Sequence, residues 1–266
     1  MTISIITATY NSGKTVRDTL DSILRQSYRD YELIIKDGGS NDDTLEICRK
    51  YESLFGGRMH IISAPDKGIY DAMNQGITAA HGEVIGILNS DDFYTCDDIL
   101  QTVADAFKNN PEIDAVYGDV HYVKKDDITQ QTRYYSSKSF RRSLMRLGFM
   151  PAHPSFYCRK ATYETHALDT KESKDATTKR YFDISYKVAA DFENLLRMIF
   201  VGRIKCKYIE KDFVTMRTGG ASSSGIKSHL QINKDHKRAL RTNGVYSNSF
   251  ILSLRYLYKV IELIRG

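Results

Sequence analysis

The sequence is poor in proline and cysteine, and its cysteines lack the spacing typical of a small fold held together by disulfides or zinc. It has 4 prolines in 266 residues and 41% hydrophobic content, which argues against a disordered chain. The four cysteines, Cys48, Cys96, Cys158 and Cys206, include no CxxC pair, so neither a zinc cluster nor a disulfide framework is predicted. We therefore expect one large domain, alone or with an appendage, in a reducing cytoplasm.

Long apolar runs and nucleotide-binding glycine motifs are also missing. The first residues, "MTISIITATY", have no basic segment before an apolar run that is too short to span a bilayer, so we expect no signal peptide or transmembrane helix and a cytoplasmic location. The stretch "TATYNSGKT" contains no GxGxxG, which argues against a Rossmann oxidoreductase. It is also not the glycine-rich, basic phosphate loop expected of a sugar nucleotidyltransferase.

Positive charge is concentrated near the end of the chain. Residues 227–266 contain eight Lys and Arg against Asp235 and Glu262, a balance of +6, whereas the whole chain carries +5. Residues 1–226 therefore sum to about −1. We therefore expect any partner with an acidic surface to contact residues 227–266. No recognised nucleic-acid-binding module accompanies this charge, so nucleic acid is not an expected partner.

Strand and helix patterns alternate through the first half. "TISIITATY", "YELIIKDGGS", "RMHIISAP", "EVIGILNSDD" and "IDAVYGDVHYV" are typical of buried strands, and amphipathic helical patterns separate them. This alternation predicts an α/β fold with a mainly parallel sheet flanked by helices. Later segments predict a helix in "ISYKVAADFENLLRMIF", one or two strands in "RIKCKYIEKDFVTM" and a basic amphipathic helix at the end.

Polar residues follow several of these strands where the strands end. In open α/β sheets, ligands bind outside the carboxyl ends of the strands. The first strand runs into Thr7, Thr9 and Asn11, the second into Asp37, and the third into "PDKGIYDAMN". Several acidic turns at one edge of a sheet indicate a ligand site more strongly than one turn would.

Two adjacent acids, Asp91 and Asp92, follow the fourth predicted strand in "ILNSDDFY". They could cap the helix near "CDDIL". Alternatively, they could hold Mg²⁺ or Mn²⁺, since such cations use one or two protein carboxylates and leave other positions to water and substrate phosphates. The cation would neutralise the pair and bind a diphosphate.

Seven motifs together resemble the family-2 glycosyltransferases, inverting enzymes with the nucleotide-sugar-binding GT-A fold. They are "SIITATYN", "IIKDGGSNDDT", "DKGIYDAMNQGI", "GEVIGILNSDD", "HPSFY", "AADFE" and "GGAS". The resemblance covers roughly residues 1–225, which implies a nucleotide-binding half in 1–123 and an acceptor-binding half in 124–225. Residues 226–266 remain as a basic helical extension.

The resemblance implies roles for individual residues. Asp37 matches the acid that accepts a hydrogen bond from the base, which favours uracil, although guanine and thymine also offer an N–H donor. The family's metal motif has an acid where this chain has Asn89, so either Asp91 or Asp92 could be the main metal ligand. The residues expected at the nucleotide sugar are Thr7, Thr9, Asn11, Asp37, Asp66, Lys67, Gly68, Asp71, Asn74, Asn89 and Asp91. Asp66, Lys67, Gly68, Asp71 and Asn74 could instead serve to cap the following helix.

Asp191 in "AADFE" matches the family's general base, which takes a proton from the acceptor hydroxyl. Glu193 lies about 200° around the helix and should point elsewhere. His153 resembles a histidine near the acceptor or diphosphate, but it could equally be a packed residue. The segment "GGASSSG" could be a flap or a simple linker.

The sequence therefore predicts an inverting, metal-dependent glycosyltransferase that uses a nucleoside-diphosphate sugar, with UDP favoured, and Mn²⁺ or Mg²⁺. The acceptor would be a hydroxyl of a glycan or lipid-linked glycan in bacterial surface polysaccharide synthesis. The alternatives are a catalytically inactive sugar-nucleotide-binding or scaffold protein and a sugar nucleotidyltransferase. The basic end and "SFRRSLMRLGFM" could associate with an anionic membrane at its inner face, or they could pack on the domain.

Overall fold

A mixed nine-stranded sheet with helices on both faces forms the body of the protein. The structure is a computed structural model, and it describes residues 1–168, 179–219 and 225–255. The strands are β1 Ile3–Thr9, β2 Tyr31–Asp37, β3 Met59–Ser63, β4 Val84–Ile87, β5 Phe93–Tyr94, β6 Ala115–Lys124, β7 Asp127–Tyr135, β8 Tyr157–Arg159 and β9 Cys206–Arg217. The α-helices are α1 Val16–Leu24, α2 Thr44–Glu52, α3 Ile69–Ala79, α4 Ile99–Asn109, α5 Lys160–Thr165, α6 Ala190–Leu195 and α7 Gly225–Thr242. The predicted α/β class is confirmed.

The first half of the sheet is parallel, in the order β3-β2-β1-β4. All residues of β1 and β2 are buried, because apolar side chains on both faces of these strands are covered. Alternate side chains enter different clusters: Ile6 packs with Met73 of α3, whereas Ile5 packs with Leu20 of α1. Because other side chains cover both faces of these strands, their sequences are nearly continuous apolar runs.

The second half of the sheet is mixed. β8 is antiparallel to β4 and β6, β7 is antiparallel to β6, and β5 is antiparallel to β9, whereas β6 and β9 are parallel. The predicted parallel arrangement therefore describes the β3-β2-β1-β4 half and the β6-β9 pair. The segment "RIKCKYIEKDFVTM" forms a single strand, β9. Its last residue, Arg217, reaches the same edge of the sheet as the loop after β4.

The helix predicted in "ISYKVAADFENLLRMIF" begins at Ala190 as α6 and continues as one π-helical turn at Leu196–Val201. "SFRRSLMRLGFM" forms a short 3₁₀ helix, Arg142–Leu147, whose Met145 is fully buried. This segment therefore packs on the domain through at least one apolar side chain.

The basic C-terminal segment also packs on the domain through α7. Ala239, Leu240 and Leu252 belong to the same hydrophobic cluster as Phe192 of α6. A second helical segment occupies residues 249–255. Arg255 of this segment is buried and donates a 2.7 Å hydrogen bond to Asn233. The rest of the predicted final helix, residues 256–266, lies outside the described residues.

None of the helices in the described ranges has the length and apolar character needed to cross a bilayer.

Candidate active site

A cavity of about 830 Å³ opens at the carboxyl ends of β1, β2 and β4. Its walls include six residues that the sequence predicts at a nucleotide sugar: Thr9, Asn11, Asp66, Gly68, Asn89 and Asp91. They come from the ends and following loops of three strands, β1, β3 and β4, which the parallel arrangement brings to one edge. The volume lies in the range of small-molecule sites.

Three oxygen atoms at this edge are buried and have no hydrogen-bond partner within the described part of the chain. They are the hydroxyls of Thr7 and Thr9 and the side-chain carbonyl of Asn89. Thr9 and Asn89 line the cavity, whereas Thr7 lies beneath it and is fully buried. Because buried polar atoms are nearly always paired in native proteins, the two in the cavity wall indicate a polar ligand.

Asn11 and Asp37 join the loops after β1 and β2. Asn11 has a left-handed backbone with φ of 50°, and its side-chain carbonyl accepts a 2.9 Å hydrogen bond from the amide of Asn41. Asp37 is fully buried, and its carboxylate accepts hydrogen bonds from Gly39, Ser40 and Ser63. Asp37 therefore organises the loop from beneath rather than lining the cavity.

The loop after β3 is tied to a buried lysine. Asp66 accepts a 3.2 Å bond from the ammonium of Lys36 and a 2.9 Å bond from the amide of Gly68. Asp71 accepts the amide of Lys67 at 3.0 Å and so holds the loop before α3, whereas no side chain caps the helix at its N-cap residue Gly68.

Asn74 lies on α3 away from the cavity and is 1% exposed. Its carbonyl accepts the amides of Tyr181 and Phe182 at 2.9 and 2.8 Å, and its amide donates to the carbonyl of Phe182. Each of these bonds anchors the chain that leads towards Asp191. The structure therefore gives Asn74 a supporting position.

Asp91 and Asp92 lie in a tight turn between β4 and β5. Helix α4 begins at Ile99 with Asp98 at its N-cap position, so neither acid caps that helix. Burial raises the pKa of Asp91, and the pKa of Asp92 is raised well above its usual range by burial and by the charge of Asp91. Two carboxyl groups that resist ionisation together are a natural site for a cation.

The donor set suits a cation that keeps part of its ligand shell. Within the described ranges no group of three or more His, Cys, Asp and Glu side chains is placed to bind a metal. Asp91, Asp92 and the unpaired oxygen of Asn89 instead offer a small all-oxygen set. Mg²⁺ and Mn²⁺ bind such sets together with water and substrate phosphates, so these residues fit the expected metal.

Asp191 is the second residue of α6 and is half-buried. Burial raises the pKa of its carboxyl, and nearby His153 opposes that shift. His153 is itself buried, its pKa is lowered by burial, and its Nε2 has no partner among the described residues. Glu193, by contrast, turns to Arg197, with which it forms a 3.0 Å ion pair. The two acids of "AADFE" therefore point to different places.

Tyr122 of β6 connects the two acidic sites electrostatically. The pKa of its hydroxyl is raised first by burial and then by the negative charges of Asp92 and Asp191, while Arg133 opposes the shift. Asp191 does not line the cavity itself, yet it and Asp92 act on one side chain. Both carboxyl groups are therefore close enough to Tyr122 to raise its pKa.

Sequence reasoning missed the cations of the cavity wall, Lys14, Lys125 and Arg217. Arg217 donates a 2.6 Å hydrogen bond to the carbonyl of Asp91 and forms an ion pair with Asp18. The available signal was position: Lys14 follows the first strand, and Arg217 stands directly before "TGGAS". The "GGASSSG" segment itself lies mainly outside the described residues, although Gly219 lines the cavity.

Comparison with known proteins gives a consistent result. The family model "Glycosyl transferase family 2" matches residues 4–165. The "PGL/p-HBAD biosynthesis glycosyltransferase" of Mycobacterium bovis BCG is 30% identical over 226 residues, which are 84% of this chain and 79% of that protein.

Two solved structures share the fold. S. aureus TarS superposes with a TM-score of 0.65 at 18% identity, over 90% of this chain but only 40% of that one. A mannosyltransferase from Pyrobaculum calidifontis, in complex with GDP-Man and Mn²⁺, gives a TM-score of 0.59 at 14% identity over 98% of this chain and 80% of that one. Together with the family match, these similarities show that the chain belongs to glycosyl transferase family 2 and has the GT-A fold.

Proposed function

We propose that the protein is an inverting glycosyltransferase that moves a sugar from a nucleoside diphosphate to a hydroxyl group. The observation that carries this proposal is the 830 Å³ cavity with unpaired oxygens in its wall and with Asp91 beside the buried Asp92. A nucleotide sugar has polar groups that would bond to the unpaired oxygens of Thr9 and Asn89. It also has phosphates, which a cation at the acidic pair would bind.

The donor we favour is a UDP-sugar. The fold neighbour TarS has been solved with UDP-GlcNAc, and the P. calidifontis neighbour with GDP-Man, so the fold accepts both kinds of base. Asn11, Asp66 and Gly68 would border the nucleoside. Asp37 would act on the base through the loop that it organises.

The diphosphate would lie between the acidic pair and the cavity's cations. Asp91 and Asp92 would hold Mn²⁺ or Mg²⁺, which stabilises the negative charge that develops on the departing phosphate oxygen. Lys14 and Lys125 are exposed in the cavity wall and would neutralise the same charge. Arg217 orients the Asp91 turn through the Asp91 carbonyl.

Asp191 is the general base in this proposal. Its carboxylate would take the proton of the acceptor hydroxyl while that oxygen attacks the anomeric carbon opposite the leaving nucleotide. The partly desolvated setting suits this role, because it raises the pKa of the carboxyl towards working pH. His153 lies close enough to influence that titration and would face the acceptor or the diphosphate.

The acceptor would be a glycan or lipid-linked glycan of a bacterial surface polysaccharide, at the inner face of the plasma membrane. Exposed aromatic and basic side chains support a peripheral contact: Tyr246 and Phe250 are 70% and 71% exposed, and Arg146 lies over the Tyr246 ring. Aromatic rings and cations at one surface suit an anionic lipid interface.

Sedimentation with phosphatidylglycerol vesicles tests the membrane contact. The full chain should pellet with these vesicles more than with phosphatidylcholine vesicles, and a Tyr246→Ser/Phe250→Ser variant should pellet less. Equal pelleting in all cases would remove the membrane contact while leaving the enzymatic proposal intact.

Isothermal titration calorimetry with UDP-GlcNAc, GDP-Man and a dTDP-sugar, each with and without Mn²⁺, tests the enzymatic proposal. We expect one nucleotide class to bind with micromolar affinity when Mn²⁺ is present and to bind more weakly in EDTA. If none of the nucleotide sugars binds in either condition, the proposal is wrong.

A further inference from the structure

Helix α7 lies against the segment that carries Asp191. The helix begins at residue 225, beyond the part of the chain that the family model matches. Arg238 donates to Ser185, and the hydroxyls of Tyr186 and Thr242 lie 3.4 Å apart. Asn243 donates a 3.1 Å hydrogen bond to Glu193. α7 therefore contacts residues on both sides of Asp191.

Asp235 makes the α7 contact nearest to Asp191 on the side of the chain that precedes it. It is 5% exposed, and one carboxylate oxygen accepts the amide of Val188 at 3.2 Å. The carbonyl of Val188 accepts the hydroxyl of Tyr70 from α3. The peptide groups of Val188 are thus held from two sides, by α7 and by α3, three residues before Asp191.

His236 contacts Phe192, the residue that follows Asp191 in the chain. Its ring stacks on the ring of Phe192 with centroids 3.9 Å apart and an interplanar angle of 26°. Burial and the charge of Arg255 lower the pKa of His236 to about 3, so the imidazole is neutral at working pH. A neutral ring on Phe192 adds packing and no charge next to Asp191.

We infer that Asp235 is a positioning residue for the proposed base: by holding Val188 it fixes the Asp191 carboxylate and keeps water from it. This inference rests on the proposed role of Asp191. A loose 188–191 segment would misplace the carboxylate relative to the acceptor hydroxyl, and small displacements of a reacting group are costly. It would also admit water, which favours the ionised carboxylate.

The ionisable groups around Asp191 bear on how its pKa should change when the Asp235 contact is lost. Tyr70 faces it from α3, His153 from the 3₁₀ helix His153–Ser155, and Tyr122 from β6. Glu193 on the same helix is turned away and paired with Arg197. Asp235 and His236 face this region from α7. Loss of the Asp235 contact should therefore lower the pKa of Asp191, because better hydration and the loss of one negative charge both favour the ionised carboxylate.

Carboxyl ¹³C NMR of the full chain tests this inference without requiring activity. The Asp191 resonance is assigned by its loss in Asp191→Asn. In Asp235→Ala, Asp191 should titrate at lower pH than in the wild type. Asp235→Asn removes the same charge but keeps a carbonyl oxygen for the Val188 amide, so Asp191 should titrate close to its wild-type pH and clearly above its pH in Asp235→Ala. Gln231→Ala removes the other partner of Asp235, at 2.7 Å, and should leave the titration unchanged.

Turnover gives the second measurement, as UDP release from UDP-GlcNAc with Mn²⁺. In Asp235→Ala kcat should fall about 10-fold or more, as expected for a displaced reacting group, while KM for the donor stays within about 2-fold. If Asp235→Ala is poorly folded in a thermal scan, Asp235→Ser replaces it.

An Asp191 titration that is the same in Asp235→Ala and the wild type would overturn the inference. Absence of turnover in the wild-type chain would instead count against the proposed donor, and the NMR titration would still decide the role of Asp235. Full activity of Asp191→Asn would overturn the base assignment on which the inference rests.

Discussion

The ammonium group of Lys36 lies 3.2 Å from the carboxylate of Asp66, directly behind the wall of the cavity. Lys36 is fully buried, and it also donates to the carbonyls of Asp37 and Ala64. A lysine is buried at this depth only when its charge is paired and its donors are satisfied. Lys36 therefore joins the loops after β2 and β3 and balances the charge of Asp66.

Replacing Lys36 by methionine should destabilise the protein by about 3–5 kcal/mol, because it leaves the half-buried Asp66 without its partner. Urea denaturation measures this change. The double variant Lys36→Met/Asp66→Asn should recover part of the loss, since no uncompensated charge remains. Lys50→Met is the control: Lys50 pairs with Glu46 on the exposed surface of α2, and its loss should change the unfolding free energy little. Equal effects of the two single variants would contradict this account.

Asp191→Asn should reduce kcat by about 10²- to 10⁴-fold, the usual contribution of a general base. The amide has nearly the same shape and cannot accept the proton of the acceptor hydroxyl. Donor affinity in calorimetry should be almost unchanged. Glu193→Gln tests the neighbouring acid, which is paired with Arg197, and it should retain far more turnover. A variant Asp191→Asn with normal kcat would exclude Asp191 as the base.

The pH dependence of kcat should report the environment of Asp191. Burial raises the pKa of this carboxyl, and the base works only when ionised. As pH falls through the raised pKa the base becomes protonated, so the acid limb of the kcat profile should lie above the ordinary aspartate range near about 3.9. An acid limb within that ordinary range would show that Asp191 is hydrated in the working enzyme.

Asp92→Asn should stabilise the metal-free protein at pH 7. The pKa of Asp92 is raised well above its usual range in the folded state, so the folded state binds a proton more readily than the unfolded state does. Its ionisation therefore destabilises the fold as pH rises through the raised pKa. In EDTA the melting temperature of Asp92→Asn should exceed that of the wild type at pH 7, and the difference should shrink as pH is lowered.

With Mn²⁺ present, the wild type should instead be more stable than Asp92→Asn, because a cation at Asp91 and Asp92 favours their ionised forms. The wild type should gain stability on Mn²⁺ addition, whereas Asp92→Asn should gain little. Asp97→Asn removes an exposed acid paired with Arg25 and serves as the control with a normal Mn²⁺ response. The same Mn²⁺ response in Asp92→Asn and the wild type would rule out Asp92 as a ligand.

Arg217→Lys should raise KM for the donor by about 10-fold, as expected from the loss of a charge-assisted hydrogen bond. Lysine keeps the positive charge but cannot contact both the Asp91 carbonyl and Asp18, as Arg217 does. Arg25→Lys changes an exposed arginine paired with Asp97 and should leave KM unchanged. Unaltered donor kinetics in Arg217→Lys would show that the Asp91 turn holds its shape without this bond.

The predictions from sequence succeeded where local pattern and strand order decide the outcome. The runs around Ile5 and Ile34 could be recognised as buried strands, and parallel strands necessarily bring their carboxyl ends to one edge. For that reason Thr9, Asn89 and Asp91 could be expected together, and all three line the cavity. The position of Asp191 at a helix start, with Glu193 turned away, likewise follows from helical periodicity.

Tertiary structure decided which polar side chains face the ligand and which support the loops. Asp37 and Asn74 carry the same chemistry as Asp91 and Asn89, yet their side chains bond to backbone groups of neighbouring segments. The partners of Asn74 are 107 and 108 residues away in sequence, and Ser63, which also donates to Asp37, is 26 residues away, so no local pattern could reveal these contacts.

By itself, the sequence determined the α/β fold class, the family and the edge of the sheet where the site forms, because these depend on hydrophobic periodicity and on residues next to strand ends. The tertiary structure alone decided that Arg217 reaches Asp91 and that α7 packs behind Asp191. Both contacts join segments distant in the chain, and their geometry depends on how the whole core packs.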